Sequence, residues 1–102
     1  MEEALKENIM GALEQVVDPE LGVDIVNLGL VYDVDMDEDG LTHVTMTLTS
    51  MGCPLAPIIV DEVKKALADL PEVKDTEVHI VWNPPWTRDK MSRYAKIALG
   101  IQ

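Results

Sequence analysis

Residues 28–49 read "LGLVYDVDMDEDGLTHVTMTLT", two alternating runs on either side of a short acidic stretch. Leu28, Leu30, Tyr32, Val34 and Met36 occupy every second position, which predicts a strand over 28–36 with one buried side. The acidic "DEDG" at 37–40 reads as a turn. Beyond it Val44, Met46 and Leu48 keep the period of two, and His43, Thr45, Thr47 and Thr49 take the other face. Two such runs around a short turn predict an antiparallel hairpin.

Upstream, Leu5, Ile9, Leu13 and Val16 recur at helical spacing, which predicts a helix over 2–17 that stops before Asp18-Pro19. The stretch "DPELGVDIVN" at 18–27 then reads as a structured loop. Downstream, Pro54 suits the first position of a helix, where its missing N–H costs nothing, and Pro57 is still within the first turn. Leu55, Ile59, Val63, Leu67 and Leu70 form the apolar stripe of that helix, which runs out at Pro71. "TEVHIVWN" at 76–83 predicts a third strand with Val78, Ile80 and Trp82 on one face. The two prolines that follow stiffen the chain and block further pairing. Thr87 is the predicted N-cap of a last helix, with Asp89 in its first turn and Gly100 at its end.

The order α-β-β-α-β-α predicts an α+β fold, a small mixed three-stranded sheet with helices packed on one face. A hairpin reverses chain direction and a strand-helix-strand crossover restores it. Strands two and three should therefore finish at the end of the sheet where strand one begins. Cys53, the loop 83–86 and the Asp18-Pro19-Glu20 loop are expected to meet there.

The 102 residues suit one domain spanning 1–102, and the 47% apolar content is enough for a folded core. No apolar run is long enough for a membrane span, and the opening "MEEALKEN" is acidic where a signal peptide would be basic and then apolar. The expected location is the cytoplasm, where a free thiol stays reduced. A net charge of -11 opposes phosphate backbones and anionic lipid surfaces, so neither nucleic acid nor membrane is an expected partner.

Cys53, the single cysteine, has no partner for an internal disulfide and falls short of the ligand set of a closed metal site. At a strand-to-helix junction its thiol is either a small apolar filler or a thiolate favoured by the helix N-terminus. Asp18 and Glu20 flank the rigid Pro19, a pair that can share a proton, assist a thiol or touch a metal, or can simply form a turn. Thr49 and Ser50 can donate to a thiolate or close the turn. His43 and His79 lie on strands and add nothing to a metal site at this level. Trp86, beyond Pro84 and Pro85, either plugs the end of the core or faces a partner. A Walker loop, a dinucleotide fingerprint, zinc-ligand spacing and a serine-histidine-acid pattern are all missing, so no enzymatic activity is expected.

"DPELGVDIVNLGLVY", "TLTSMGCPL" and "PPWTRDKMS", in this order, resemble the SufT/PaaD-like family of metal-sulfur cluster assembly factors, in particular its short stand-alone bacterial SufT-type members. The resemblance covers nearly the whole chain. It implies a fold similar to the C-terminal domain of NifU-type carriers and an auxiliary role in maturing iron-sulfur proteins. The acidic motif carries over to Asp18, Pro19 and Glu20, the cysteine motif to Thr49, Cys53 and Pro54, and the tryptophan motif to Pro84, Pro85, Trp86 and Met91. Asn83 stands where many relatives have aspartate, and the second cysteine of Cys-x-x-Cys carriers is absent. The implied cofactor is a labile iron-sulfur cluster ligated by Cys53, with Asp18, Glu20 and Thr49 beside it. Its other ligands would come from a second chain, a small thiol or the recipient protein. The implied partners are the iron-sulfur assembly machinery and apo iron-sulfur proteins, and a homodimer pairing two Cys53 thiols would account for the single cysteine. Competing readings are a cluster-free adaptor that recruits apo-targets through Trp86, a thiol-dependent redox enzyme, and the PaaD branch, which assembles one oxygenase complex.

Overall fold

The computed structural model describes residues 2–49 and 55–100. Its central hairpin pairs β1 (Val31–Met36) with β2 (Leu41–Met46) in antiparallel register, Val34 opposite Val44 and Asp35 opposite His43. Asp37 closes the turn, its Oδ1 accepting from the N–H groups of Asp39 at 2.9 Å and Leu41 at 3.1 Å. The register slips by one residue between Val31 and Asp33, which makes Tyr32 the extra residue of a β-bulge.

The first strand is shorter than its alternation predicts. Leu28 and Leu30 are fully buried, but they lie in a chain reversal ahead of the regular strand, Leu30 touching the pairing only through its carbonyl, which accepts from Thr47 N–H at 2.8 Å. Leu28 N–H donates to Asp24 O, Gly29 to Val26 O and Leu30 to Ile25 O, and Gly29 has a φ of +77° that no strand accommodates.

A second strand-like neighbour is added by β3 (Asp75–Ile80), which runs parallel to β2, so the sheet is mixed with order β1-β2-β3. The period of two splits it into faces. Val34, Thr42, Val44, Met46 and Thr76 are buried beneath the helices, whereas Asp33, Asp35, Glu77 and His79 are exposed on the other side. On the buried side α1 (Glu3–Leu13) contributes Ile9 and Leu13, and α2 (Ala56–Ala68) contributes Ile59, Val63 and Leu67, one residue per turn of its apolar stripe. Pro57 lies in the first turn of α2 as expected, and Leu55 is its N-cap. The expected helical start at Pro54 lies outside the described residues.

Three expected boundaries move. The first helix ends at Leu13 and not at Val17, because Val16 and Val17 are drawn into pairing with the returning chain: Ile25 N–H donates to Val16 O at 2.9 Å, and Val17 bridges Asp24. The third strand ends at Ile80, and Trp82 is 39% exposed instead of facing the core. Thr87 opens only a 3-10 turn (Arg88–Lys90) and makes no side-chain cap. The last helix, α3 (Arg93–Ala98), is capped by Ser92, whose Oγ accepts from Ala95 N–H at 3.2 Å. Gly100, with φ +72°, ends it as expected.

Candidate functional site

The loop between α1 and β1 is held by two carboxylates used as backbone caps. Asp18 is 5% exposed, and its Oδ1 accepts from Glu20 N–H at 2.8 Å and Leu21 N–H at 3.2 Å. Asp24 repeats the device, with Oδ2 accepting from Asn27 N–H at 2.9 Å and Oδ1 from Asn27 Nδ2 at 2.7 Å. Such local bonds explain why aspartate stands at both corners. Asn27 in turn docks the C-terminal segment, because its Oδ1 accepts from Ser92 Oγ at 2.6 Å and its carbonyl from Ser92 N–H at 2.8 Å.

The "WNPPWT" loop is pinned onto the same segment. Trp86 Nε1–H donates to the carbonyl of buried Leu28 at 2.7 Å, and Tyr32 Oη–H donates to Pro84 O at 2.8 Å. Lys90 Nζ sits 5.1 Å from the Tyr32 ring centroid, within cation-π range. The Asn83–Pro84 peptide is cis. Trp86→Phe removes the indole donor and leaves the Leu28 carbonyl without its partner. A loss of about 1 to 2 kcal/mol in denaturant unfolding is the expected result.

These contacts shape a cleft of about 390 Å³ lined by Glu20, Leu21, Thr49, Trp86, Arg88, Met91 and Leu99. Glu20, Thr49, Trp86 and Met91, singled out from three separate motifs, therefore come together; the 18–20 and 83–86 loops meet as expected, and Cys53, the remaining member of that expectation, lies outside the described residues. Met91 is also part of the core, at 7% exposure. Pro19, Pro84 and Pro85 are exposed flanking residues, and Asp18 spends Oδ1 on the loop backbone instead of standing with Glu20 as a free carboxylate pair. Cys53 and Pro54 lie outside the described residues. Arg88, the one cation lining the cleft among the described residues, lies within the "PPWTRDKMS" block, where nothing in the local sequence sets it apart from its charged neighbours. Asn27 and Ser92 were missed as well, since only a 65-residue closure relates them.

Residues 6–80 match the family described as "Iron-sulfur cluster assembly protein". The chain belongs to the iron-sulfur cluster assembly protein family. This family member is 99% identical over 102 residues, all of both chains, to the Fe-S protein maturation auxiliary factor YitW of Bacillus subtilis. It is 69% identical over 86 residues to the Fe-S protein maturation auxiliary factor SufT of Staphylococcus aureus, covering 84% of this chain and 98% of that one. Among solved structures, a domain of unknown function, DUF59, from Bacillus anthracis superposes with a TM-score of 0.91 at 59% identity, over 98% of this chain and 95% of that one. The α+β architecture of the family member is thus the one its sequence predicts. No helix among its described residues is long and apolar enough to cross a membrane.

Proposed function

We propose that this chain is an auxiliary factor in the maturation of iron-sulfur proteins, in which the Cys53 thiolate holds a labile cluster as cargo. The observation that carries this reading is the cleft itself, where Thr49, Glu20 and Trp86 from three distant motifs line one space. Cys53 follows Thr49 by four residues in the chain. The names of the two maturation factors it resembles support the same role.

One thiol cannot complete a cluster that takes four cysteine ligands. The remaining ligands come from a second copy of the chain, a small thiol or the recipient, which makes the cluster transferable. Glu20 and Thr49 border the cargo, and Arg88 offsets the negative charge that thiolate ligation brings. Trp86, Leu21, Met91 and Leu99 offer apolar surface to an assembly partner or an apo-protein. In this role the chain is a carrier and not an enzyme: hand-over is ligand exchange at iron, the Cys53–iron bond breaking as a recipient ligand takes its place, with the cluster itself unchanged.

Anaerobic reconstitution with iron and sulfide tests the proposal, with Cys53→Ser in parallel. Iron and sulfide should remain with the wild-type chain through desalting and fall to background in the variant. If neither protein retains a cluster, the apolar lining of the cleft favours the cluster-free adaptor instead.

A further inference from the structure

The open face of the sheet gathers three side chains of metal-ligand type from two strands, His43 on one and Glu77 and His79 on the next. His43 on β2 and Glu77 on β3 are partners across the parallel ladder, and His79 lies two residues beyond Glu77 on the same face. His43 Nδ1 is 3.1 Å from His79 Nε2, and Glu77 Oε2 lies 3.5 Å from the first nitrogen and 3.6 Å from the second. The two histidines, which added nothing to a metal site when read along the chain, face each other across the strands.

We propose that His43, Glu77 and His79 form a binding site for a divalent first-row transition metal ion, independent of Cys53 and of the cleft. Two imidazoles and one carboxylate are a donor set that such ions accept. At metal-donor distances of about 2.0 to 2.1 Å, donors on a tetrahedral ion stand about 3.3 Å from one another. The three observed separations bracket that value. The imidazole rings are nearly parallel, at 16°, and a twist of these partly exposed rings turns both lone pairs onto a common point. Without a metal the two rings can share one hydrogen bond, which leaves the glutamate unused.

The surroundings complete the site. Asp37 Oδ2 is 3.9 Å from His43 Nε2, the ring nitrogen turned away from the other ligands, and its Oδ1 is fixed by the hairpin turn. A carboxylate on the far side of a ligating imidazole is a common outer neighbour of such ligands and adds negative charge beside the site. Asp35, opposite His43 across the other ladder, adds negative potential where a cation would arrive. With three protein ligands on an exposed face, water fills the remaining positions and the ion exchanges freely.

The test uses the full-length, tag-free chain carrying Cys53→Ser, stripped with chelator, so that the thiol contributes nothing. Titration with Co²⁺ followed by visible absorption, and with Zn²⁺ by calorimetry, should give one ion per chain, with the imidazole ¹⁵N shifts of His43 and His79 moving on Zn²⁺ addition. His79→Gln and His43→Gln, both on the open face of the sheet, should each weaken binding by at least about tenfold while far-ultraviolet dichroism stays unchanged. The proposal is overturned if the Cys53→Ser chain binds neither ion, or if the His43→Gln/His79→Gln double variant binds as tightly as its parent. Because the cysteine is absent throughout, these outcomes leave the carrier proposal untouched.

Discussion

Gly29→Ala unfolds at much lower denaturant than the wild type, with a loss of about 3 kcal/mol or more. Two effects add at this position. Gly29 has φ +77°, where a side chain costs about 1 kcal/mol, and a Cβ there would overlap the Lys90 carbonyl oxygen and lie 2.7 Å from the carbonyl carbon. That obstacle is backbone, so relief requires the 3-10 turn to move away from the α1–β1 loop. The displacement also loosens Trp86 from Leu28 O, and the indole fluorescence of the native variant should shift. Gly22→Ala is the control, because its φ is +72° but open space surrounds the added methyl. It should cost only about 1 kcal/mol. Equal losses at the two glycines would show that the close approach to Lys90 contributes nothing.

Asp18→Ala costs about 2 kcal/mol, since the Glu20 and Leu21 N–H groups both lose a charged acceptor in a half-buried loop. Asp18→Asn keeps an acceptor oxygen in place and should lose about half as much. Chemical denaturation of the two variants measures the difference, and an Asp18→Ala chain as stable as wild type would remove the capping role. The same pair informs the carrier proposal: if Asp18→Asn retains iron as the wild type does, the residue shapes the cleft through the loop and need not touch the cargo.

The hairpin is legible in sequence because solvent on one side and helices on the other impose the period of two directly on Val34, Val44 and Met46. The same signal overreaches at Leu28 and Leu30, which are buried for a different reason: a tight reversal also sends alternate residues inward. Val16 illustrates the converse, lying on the helical stripe in sequence while its backbone pairs with Ile25. Thr87 and Ser92 are both capping residue types, serine the better of the two, and Ser92 is further held by Asn27, a contact across 65 positions that no local rule contains. Strand directions bring the ends that carry Thr49 and Trp86 together, whereas the place of Glu20 rests on how the 18–27 loop folds back, and the union of His43 with His79 depends on an inter-strand register that period and composition leave open.

The bulge at Tyr32 has a bearing on self-association. As the first strand of the sheet, β1 has one edge unpaired among the described residues, and an unpaired edge is a template for another strand. A ladder added there would have to copy the one-residue slip between Val31 and Asp33, and a regular strand cannot. Asp33 and Asp35, side by side on the open face, would also meet the carboxylates of an identical neighbour. The irregularity that brings Tyr32 to Pro84 thus makes this edge of the sheet a poor template for a further strand.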